Sequence, residues 1–199
     1  MKNFDSMSDE QLALLYVEGN NRAFDELLSR TQQKLFTYIM FVVRDHDIAN
    51  DIFQETFVKV ITRLQEGKYT DSGKFSFWVT RIAHNVVMDW YRAQKSERIV
   101  EPTEDNNLSN LKGLSVMDTY RESEIVNEQI LQDVKKMMNA LPAPQREVVY
   151  MRYYQQMSFK EIAEMTGVSI NTSLGRMRYA LINLRKMAKE HNIELALQL

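Results

Sequence analysis

Apolar residues along the chain recur every three or four positions, which is the spacing that predicts amphipathic helices. The first such run, residues 12–28, follows Ser8, which can cap a helix because Gln11 stands three residues on. Gly19 interrupts this run and separates two helices. The whole chain has only six Gly and three Pro, so turn signals are few and we expect an all-α protein.

Helical periodicity fails in the middle of the chain. Residues 96–123 gather Pro, Gly, Ser, Asn and acidic residues, a composition typical of a linker. We therefore predict two small helical domains, residues 1–95 and 124–199, joined by a flexible linker at 96–123. The alternative is a long surface loop inside one domain, although structureless loops of this length are uncommon in compact domains.

A helix predicted from about residue 47 to 64 has two different faces. Its apolar stripe is predicted to consist of Phe53, Phe57, Val60, Ile61 and Leu64. The opposite side consists of Asp51, Gln54, Glu55, Val58 and Thr62, and the first four of these residues are called the acidic face below. Such a face could bind a basic partner, and the alternative is an ordinary solvated surface.

The polar loop at 66–74 and the helix after it interleave basic, amide and aromatic side chains. Trp78 and Trp90 fall on the predicted buried stripe, whereas Tyr69 is expected to be exposed in the loop. Cations that hold phosphates, beside rings that stack on bases, suit single-stranded DNA. The candidate residues are Lys68, Tyr69, Lys74, Arg81, His84, Asn85 and Arg92. Aromatic residues at helical spacing are more often part of a core, which is the alternative.

The C-terminal part predicts a helix-turn-helix. Ser158 with Glu161 caps a short helix, Gly167 turns the chain and Ser169 caps a second helix. The second helix of this motif enters the major groove. Its candidate contacts are Ser169, Asn171, Thr172, Ser173, Leu174, Arg176 and Arg178. An ordinary αα-hairpin is the alternative.

The distribution of charge favours a nucleic-acid partner more than the net charge of -2 does. By segment, residues 1–95 carry -1, residues 96–125 carry -4 and residues 126–199 carry +3. No acidic residue lies between Met165 and Lys189. The same stretch carries five positive charges, on Arg176, Arg178, Arg185, Lys186 and Lys189. A basic, acid-free segment of this kind is suited to phosphate contacts.

Several classes of function find no support in the composition. The chain has no Cys, and its three His stand at 46, 84 and 191 without ligand spacing, so we expect no metal. The sequence shows no paired catalytic carboxylates, no nucleophile with its base and no Gly-rich phosphate loop. We therefore expect that the chain is not an enzyme and binds no cofactor or small-molecule substrate. No apolar run approaches the roughly 20 residues that span a bilayer, and we expect a cytoplasmic protein.

Four segments together resemble a known family. The segment ANDIFQETF at 49–57 is similar to conserved region 2.2 of the sigma-70 family, with Asn50 where Glu is usual. Residues 75–92 resemble the family's promoter-melting region, and LPAPQREVV with SFKEIAEMTGVS resembles region 4. The early pattern from Leu12 to Phe24 also fits. The chain is identified as a member of the short extracytoplasmic-function (ECF) subfamily, because no third domain fits between the two halves.

The resemblance implies a function for each set of residues. A sigma factor of this kind binds core RNA polymerase and directs promoter-specific initiation, and the acidic face would bind the coiled coil of the polymerase's largest subunit. The candidate residues from Lys68 to Arg92, called the minus-ten set below, would capture non-template bases of the minus-ten element as the duplex opens. The candidate contacts from Ser169 to Arg178, called the minus-35 set below, would read the upstream promoter element. The resemblance also implies a membrane-anchored anti-sigma factor as a partner.

Some positions depart from the family pattern. His84 stands where Arg is common, and Ser173 and Leu174 stand where Val and Lys are frequent. Gly175 adds flexibility to the recognition helix. The rival hypothesis is a conventional helix-turn-helix regulator that binds an operator without polymerase. Such a regulator has no need for an acidic helix face beside a basic, aromatic loop.

Overall fold

The computed structural model describes residues 4–69, 74–98 and 134–190, and within these ranges the regular structure is helical, with no strand. A short 3₁₀ turn at Phe4–Ser6 precedes the first α-helix. The helices are α1 (Asp9–Val17), α2 (Asn21–Val43), α3 (His46–Gln65), α4 (Phe75–Arg98), α5 (helical residues 134–140), α6 (Ala143–Tyr153), α7 (Phe159–Thr166) and α8 (Ile170–Glu190). The predicted all-α fold with two helical modules is confirmed.

The first four helices form a bundle in which α2 packs against α1, α3 and α4. Side chains cap three of these helices: Ser8 forms a capping box with Gln11 at α1, Asn20 caps α2, and Asp45 caps α3. The predicted cap at Ser8 is therefore confirmed. The core between the helices is apolar and includes the buried side chains of Leu12, Leu27, Ile39, Leu64 and Ile82.

The buried stripe of α3 differs from the predicted stripe. Val60 and Leu64 are buried as expected, but Phe53 and Phe57 are only partly buried. The inner positions are instead Ala49, Ile52 and Thr56, followed by Val60 and Leu64. Thr56 can lie inside because its hydroxyl donates a 2.6 Å hydrogen bond to the Ile52 carbonyl. The two Phe rings flank this stripe and contact Phe24 and Phe36 of α2.

Helices α7 and α8 form the predicted helix-turn-helix. Ser158 and Glu161 form the predicted capping box, and Gly167 ends α7 with a left-handed φ of 66°. Ser169 starts α8, where its Oγ accepts a 3.0 Å hydrogen bond from the Thr172 N–H. Helix α8 packs against both α6 and α7.

The two halves of the chain are packed against each other. Helix α6 contacts α2, and α7 contacts α4. Helix α4 continues to Arg98, so the first three residues of the predicted 96–123 linker are helical. The rest of that predicted linker, and the predicted domain start at residue 124, lie outside the described residues. Among the described helices, none has the length and apolar character needed to cross a membrane.

Candidate functional site

The acidic face is exposed along one side of α3. Asp51, Gln54, Glu55 and Val58 are all exposed, and Val58 retains 62% of its accessible surface although it is apolar. Glu55 forms an ion pair of 2.6 Å with Lys59 one helical turn on. Because the inner stripe of α3 is fixed in the bundle, these four side chains are held outward together.

A groove of about 310 Å³ runs beside the acidic face, between α3 and α4. Asp51 and Glu55 line it from α3, and Asp89 and Trp90 line it from α4. Trp90, which the sequence pattern assigned to the core, is only partly buried. Sequence reasoning missed both α4 residues because it considered one helix at a time. The groove combines three carboxylates with an indole ring, a surface that suits a long cationic side chain.

Three residues of the minus-ten set share one exposed stripe of α4. Arg81, Asn85 and Arg92 are exposed, and their spacing places them on the same side of the helix. Arg92 Nη1 lies 2.5 Å from Asp89 Oδ1, so this stripe borders the groove. The two guanidinium groups and the amide are therefore available to a nucleic-acid strand that runs along α4.

Lys68 and Tyr69, two of the three loop residues in the minus-ten set, behave differently from each other. Lys68 is exposed and forms an ion pair of 2.8 Å with Glu66. Tyr69 was expected to be exposed, and this expectation is wrong. Its ring centroid lies 5.4 Å from that of Phe75 and 4.9 Å from that of Trp78. The three rings therefore form one aromatic cluster, and Tyr69 is only partly exposed because it packs in this cluster.

His84 and Lys74 of the minus-ten set are in contact with the second half of the chain. His84 was expected on the surface of α4, but only 4% of its surface is accessible, because α6 lies over it. Its Nδ1 lies 2.7 Å from Glu147 Oε1. Lys74 is exposed, and its Nζ lies 2.9 Å from Glu161 Oε1 of α7.

The minus-35 set lies at the start of α8. Its members Ser169, Asn171, Thr172, Leu174 and Arg178 are exposed, and Arg176 is partly exposed. These side chains are therefore open to a duplex that approaches the N-terminal end of α8. The last turns of the helix add the exposed cations Arg185, Lys186 and Lys189.

Ser173 does not share that surface. It was predicted to lie at the base edges, but its accessible surface is 0%. It begins the inner stripe of α8, which continues through Met177, Ala180 and Leu184 at three- and four-residue spacing. The prediction for Ser173 is therefore corrected, because its side chain faces the core of the helix-turn-helix.

Several charged or polar groups have pKa values displaced by their surroundings. Burial, and then the nearby Glu147, raises the pKa of the Tyr38 hydroxyl well above its ordinary value. Burial lowers the pKa of Arg146 to about 10, so this guanidinium remains protonated at neutral pH. Hydrogen bonds from Lys74 and from the Ser158 backbone lower the pKa of Glu161 to about 2.

Across the described ranges, no group of three or more His, Cys, Asp or Glu side chains could hold a metal ion. The site is therefore a set of surfaces: an acidic face with its groove, a basic stripe on α4, and the exposed start of α8.

Two family profiles match the chain. Residues 27–97 match sigma-70 region 2, and residues 131–175 match sigma-70 region 4. The first range contains the acidic face and the minus-ten set, and the second contains α7 and the start of α8 up to Gly175. A conventional operator-binding regulator does not account for the match to region 2.

Curated relatives agree with these profiles over most of the chain. The RNA polymerase sigma factor YlaC of Bacillus subtilis is 25% identical over 175 residues, covering 86% of this chain and 97% of that protein. The ECF RNA polymerase sigma factor SigW of the same organism is 22% identical over 179 residues, covering 87% and 92%.

Solved structures share the fold. The sigma factor RpoE of Bartonella quintana, solved with the anti-sigma factor NepR, has a TM-score of 0.60 at 21% identity and covers 83% of this chain and 96% of its own. CnrH, solved with the cytosolic domain of CnrY, has a TM-score of 0.60 at 23% identity and covers 92% and 97%. The chain therefore belongs to the sigma-70 family, in its ECF subfamily, and is a sigma factor that directs RNA polymerase to promoters.

Proposed function

We propose that the acidic face and the adjoining groove together form the surface that binds the coiled coil of the polymerase's largest subunit. The observation that carries this assignment is the clustering of Asp51, Glu55 and Asp89 around an accessible indole, with the exposed apolar side chain of Val58 beside them. Acidic groups attract and orient a basic partner, and the apolar groups add area removed from water.

The minus-ten set is assigned to the non-template strand. Arg81, Asn85 and Arg92 form the part of this surface that is open in the free chain. Lys74 and His84 belong to the same surface, although the second half of the chain contacts both. In this assignment Tyr69 stacks on a base, and the base joins the cluster that the Tyr69 ring forms with Phe75 and Trp78.

The exposed members of the minus-35 set are assigned to the upstream promoter element. Asn and Arg side chains can pair in a bidentate manner with adenine and guanine in the major groove, which favours Asn171, Arg176 and Arg178 as the specific contacts. Ser173 is removed from this assignment because it is buried.

We propose an anti-sigma factor as a further partner. We also propose that the chain acts in the cytoplasm. The support comes from two proteins of the same fold, one solved with an anti-sigma factor and the other with the cytosolic domain of CnrY. A membrane anchor on this chain's partner follows from the family resemblance. We also propose that the chain has no catalytic activity of its own and acts only through polymerase.

Run-off transcription tests the proposed function as a whole. Purified chain and core polymerase are combined on genomic fragments, and start sites are mapped. We expect defined start sites only when both components are present. If the purified chain binds specific duplexes equally well without polymerase, and never redirects polymerase, then the proposed function is wrong.

A charge reversal tests the polymerase-binding surface. Asp51→Lys with Glu55→Lys is expected to abolish association with core polymerase, because two attractive contacts become repulsive. The matched control is Glu18→Lys with Asp25→Lys, which reverses two exposed acids elsewhere in the bundle. Association is measured by co-purification and helix content by circular dichroism. Normal association of the Asp51 and Glu55 variant, with helix content intact, contradicts the assignment.

A further inference from the structure

Helix α1 contacts the residues on both sides of the 66–74 loop, which carries three residues of the minus-ten set. None of the residues assigned to polymerase or to DNA lies in α1, and the match to region 2 begins after this helix. Two side chains of α1 nevertheless reach the ends of the loop. Tyr16 contacts Gln65 at the end of α3, and Glu10 contacts Phe75 at the start of α4.

The contact at the start of α4 is a hydrogen bond to a carboxylate. The Phe75 N–H donates to Glu10 Oε1 at 3.0 Å. The first N–H groups of a helix have no acceptor within that helix and carry partial positive charge, so a carboxylate from another helix is a favourable partner. This hydrogen bond lowers the pKa of Glu10 below its ordinary value. The group is therefore ionised at neutral pH.

The Phe75 backbone belongs to the turn of α4 that bears the aromatic cluster. The Trp78 N–H donates to the Lys74 carbonyl at 3.1 Å, so the first turn runs from Lys74 to Trp78. Phe75 is only 1% exposed, and its ring and that of Trp78 are the two against which Tyr69 packs. Glu10 thus holds the turn that supplies both the Lys74 cation and the platform for Tyr69.

The other end of the loop is fixed by the way α3 ends. Gly67 adopts a left-handed φ of 67°, and the Lys68 N–H donates to the Arg63 carbonyl at 2.9 Å, a hydrogen-bonding pattern that closes the C-terminal end of a helix. Helix α1 adds a contact here, because the Tyr16 hydroxyl accepts a 3.2 Å hydrogen bond from Gln65 Nε2. The chain therefore enters the loop from a defined place.

We propose that Glu10 is a positioning residue for promoter opening, because it holds the first turn of α4 and so fixes the cluster around Tyr69 where a non-template base is captured. This inference rests on the assignment of the minus-ten set under the proposed function. A base that leaves the duplex loses its stacking and pairing. A platform that is already ordered receives the base without a further ordering cost.

Removal of the carboxylate should weaken the capture of the base. The apparent affinity falls with the fraction of the chain in which the first turn of α4 stays in place. We expect Glu10→Ala, combined with core polymerase, to bind promoter DNA about tenfold more weakly, a change that one hydrogen bond to a charged group is large enough to cause. Glu10→Gln keeps an oxygen that accepts from the Phe75 N–H, so it should restore most of the affinity.

Two further variants complete the set. Glu10→Asp keeps the charge in the first turn of α1 but shortens the side chain by one methylene, so it should lose the contact to Phe75 without unfolding the chain. The matched control is Glu18→Ala, which removes an exposed carboxylate at the other end of α1 and should bind as the wild type does. Urea unfolding and association with core polymerase are measured for every variant.

The DNA is a fluorescein-labelled forked promoter fragment in which the non-template minus-ten strand is unpaired. A start site mapped by run-off transcription supplies its sequence, and single abasic sites are placed at each minus-ten position in turn. We expect an abasic site at the captured position to weaken binding by the wild-type complex. On that fragment Glu10→Ala and Glu10→Asp should cause no further loss, because the interaction that Glu10 serves is already gone.

A purely structural role of Glu10 gives a different result. Equal losses on the intact and the abasic fragments overturn the proposal, because they show that Glu10 acts on the fold as a whole. Wild-type affinity of both Glu10→Ala and Glu10→Asp for the intact fragment also overturns it. Failure of Glu10→Gln to restore binding overturns the claim that the hydrogen bond to Phe75 is what Glu10 contributes.

The same fragments distinguish failure of the inference from failure of the proposed function. If the wild-type complex initiates at defined start sites and an abasic site weakens its binding, but the Glu10 variants change nothing, only the inference is wrong. If no abasic site weakens binding by the wild type, the assignment of the minus-ten set is wrong, and the inference is wrong with it.

Discussion

Ser173→Ala separates a DNA-contacting role of this residue from a structural one. Ser173 stands between exposed residues that are assigned to the upstream promoter element, yet its side chain is fully buried. Its hydroxyl has no hydrogen-bond partner among the described residues. We expect the substitution to stabilise the chain and to leave promoter recognition unchanged.

The magnitude follows from two effects of the same sign. Ala has a higher helix propensity than Ser, which is worth about 0.5 kcal/mol at a helix interior position. Removal of a buried hydroxyl without a partner avoids a desolvation penalty of about 1 kcal/mol. The lost packing of one oxygen atom offsets part of this gain, so the free energy of unfolding is expected to rise by about 1 kcal/mol.

Asn171→Ala is the companion variant. Asn171 is exposed near the start of α8, two residues before Ser173. It is expected to lower promoter-specific run-off transcription, because a base contact is worth about 1–3 kcal/mol of discrimination, and to leave stability nearly unchanged. Urea unfolding measures stability and run-off transcription from a mapped start site measures recognition.

Two results would refute the reasoning about Ser173. One is a loss of promoter recognition in Ser173→Ala as large as that in Asn171→Ala, which would mean that the Ser173 hydroxyl faces the duplex. The other is a clear loss of stability, which would mean that the hydroxyl has a partner that the helix-turn-helix requires.

Three further predictions concern single side chains. Arg176→Ala should weaken upstream-element binding and lower the slope of log affinity against log salt by about 1; an unchanged slope in a salt titration removes this residue from the proposed DNA contacts. The folded-state pKa of Glu161 is about 2, below its ordinary value of 4.5, so its carboxylate stabilises the folded chain above pH 4.5 and loses that effect as pH falls toward 2. The unfolding free energies of wild type and Glu161→Gln should therefore converge in that range, and a constant difference contradicts this. Gly175→Ala should raise the unfolding free energy by about 0.5–1 kcal/mol, because no atom lies within 4 Å of the added Cβ; a loss of stability in urea would show that the position needs Gly.

Local signals predicted the helix boundaries well because caps act over three or four residues. Ser8 with Gln11, and Ser158 with Glu161, form the predicted capping boxes. Gly167 adopts the left-handed conformation expected at a helix end. These features depend only on neighbouring residues, so the sequence contains all the information they need.

Side-chain direction was predicted less well where residue type is ambiguous. Ser173 and Thr56 are polar residues on buried stripes, and polarity alone placed neither of them inside. The spacing of Ser173 to Met177, Ala180 and Leu184 was the available signal, since it continues the inner stripe by four, three and four residues.

Helical periodicity did not predict the contacts between the two halves. His84 was placed on the surface because it is polar, whereas its partner Glu147 lies 63 residues away in sequence. The aromatic cluster around Tyr69 likewise joins a loop to α4. Periodicity describes one helix at a time and cannot tell which faces meet.

One sequence signal did point to a contact between the halves. Arg146 and Glu147 are charged residues immediately before the apolar segment that begins at Val148, and both are buried. Buried charges are tolerated when they are paired or hydrogen-bonded. Arg146 donates a hydrogen bond to the Val42 carbonyl of the first half. Glu147 has two partners in the first half, Tyr38 and His84. A charged pair next to an apolar run, without partners at helical spacing, therefore indicates an interface with another part of the chain or with another molecule. Both residues lie within the match to region 4, and in this structure they contact helices of region 2.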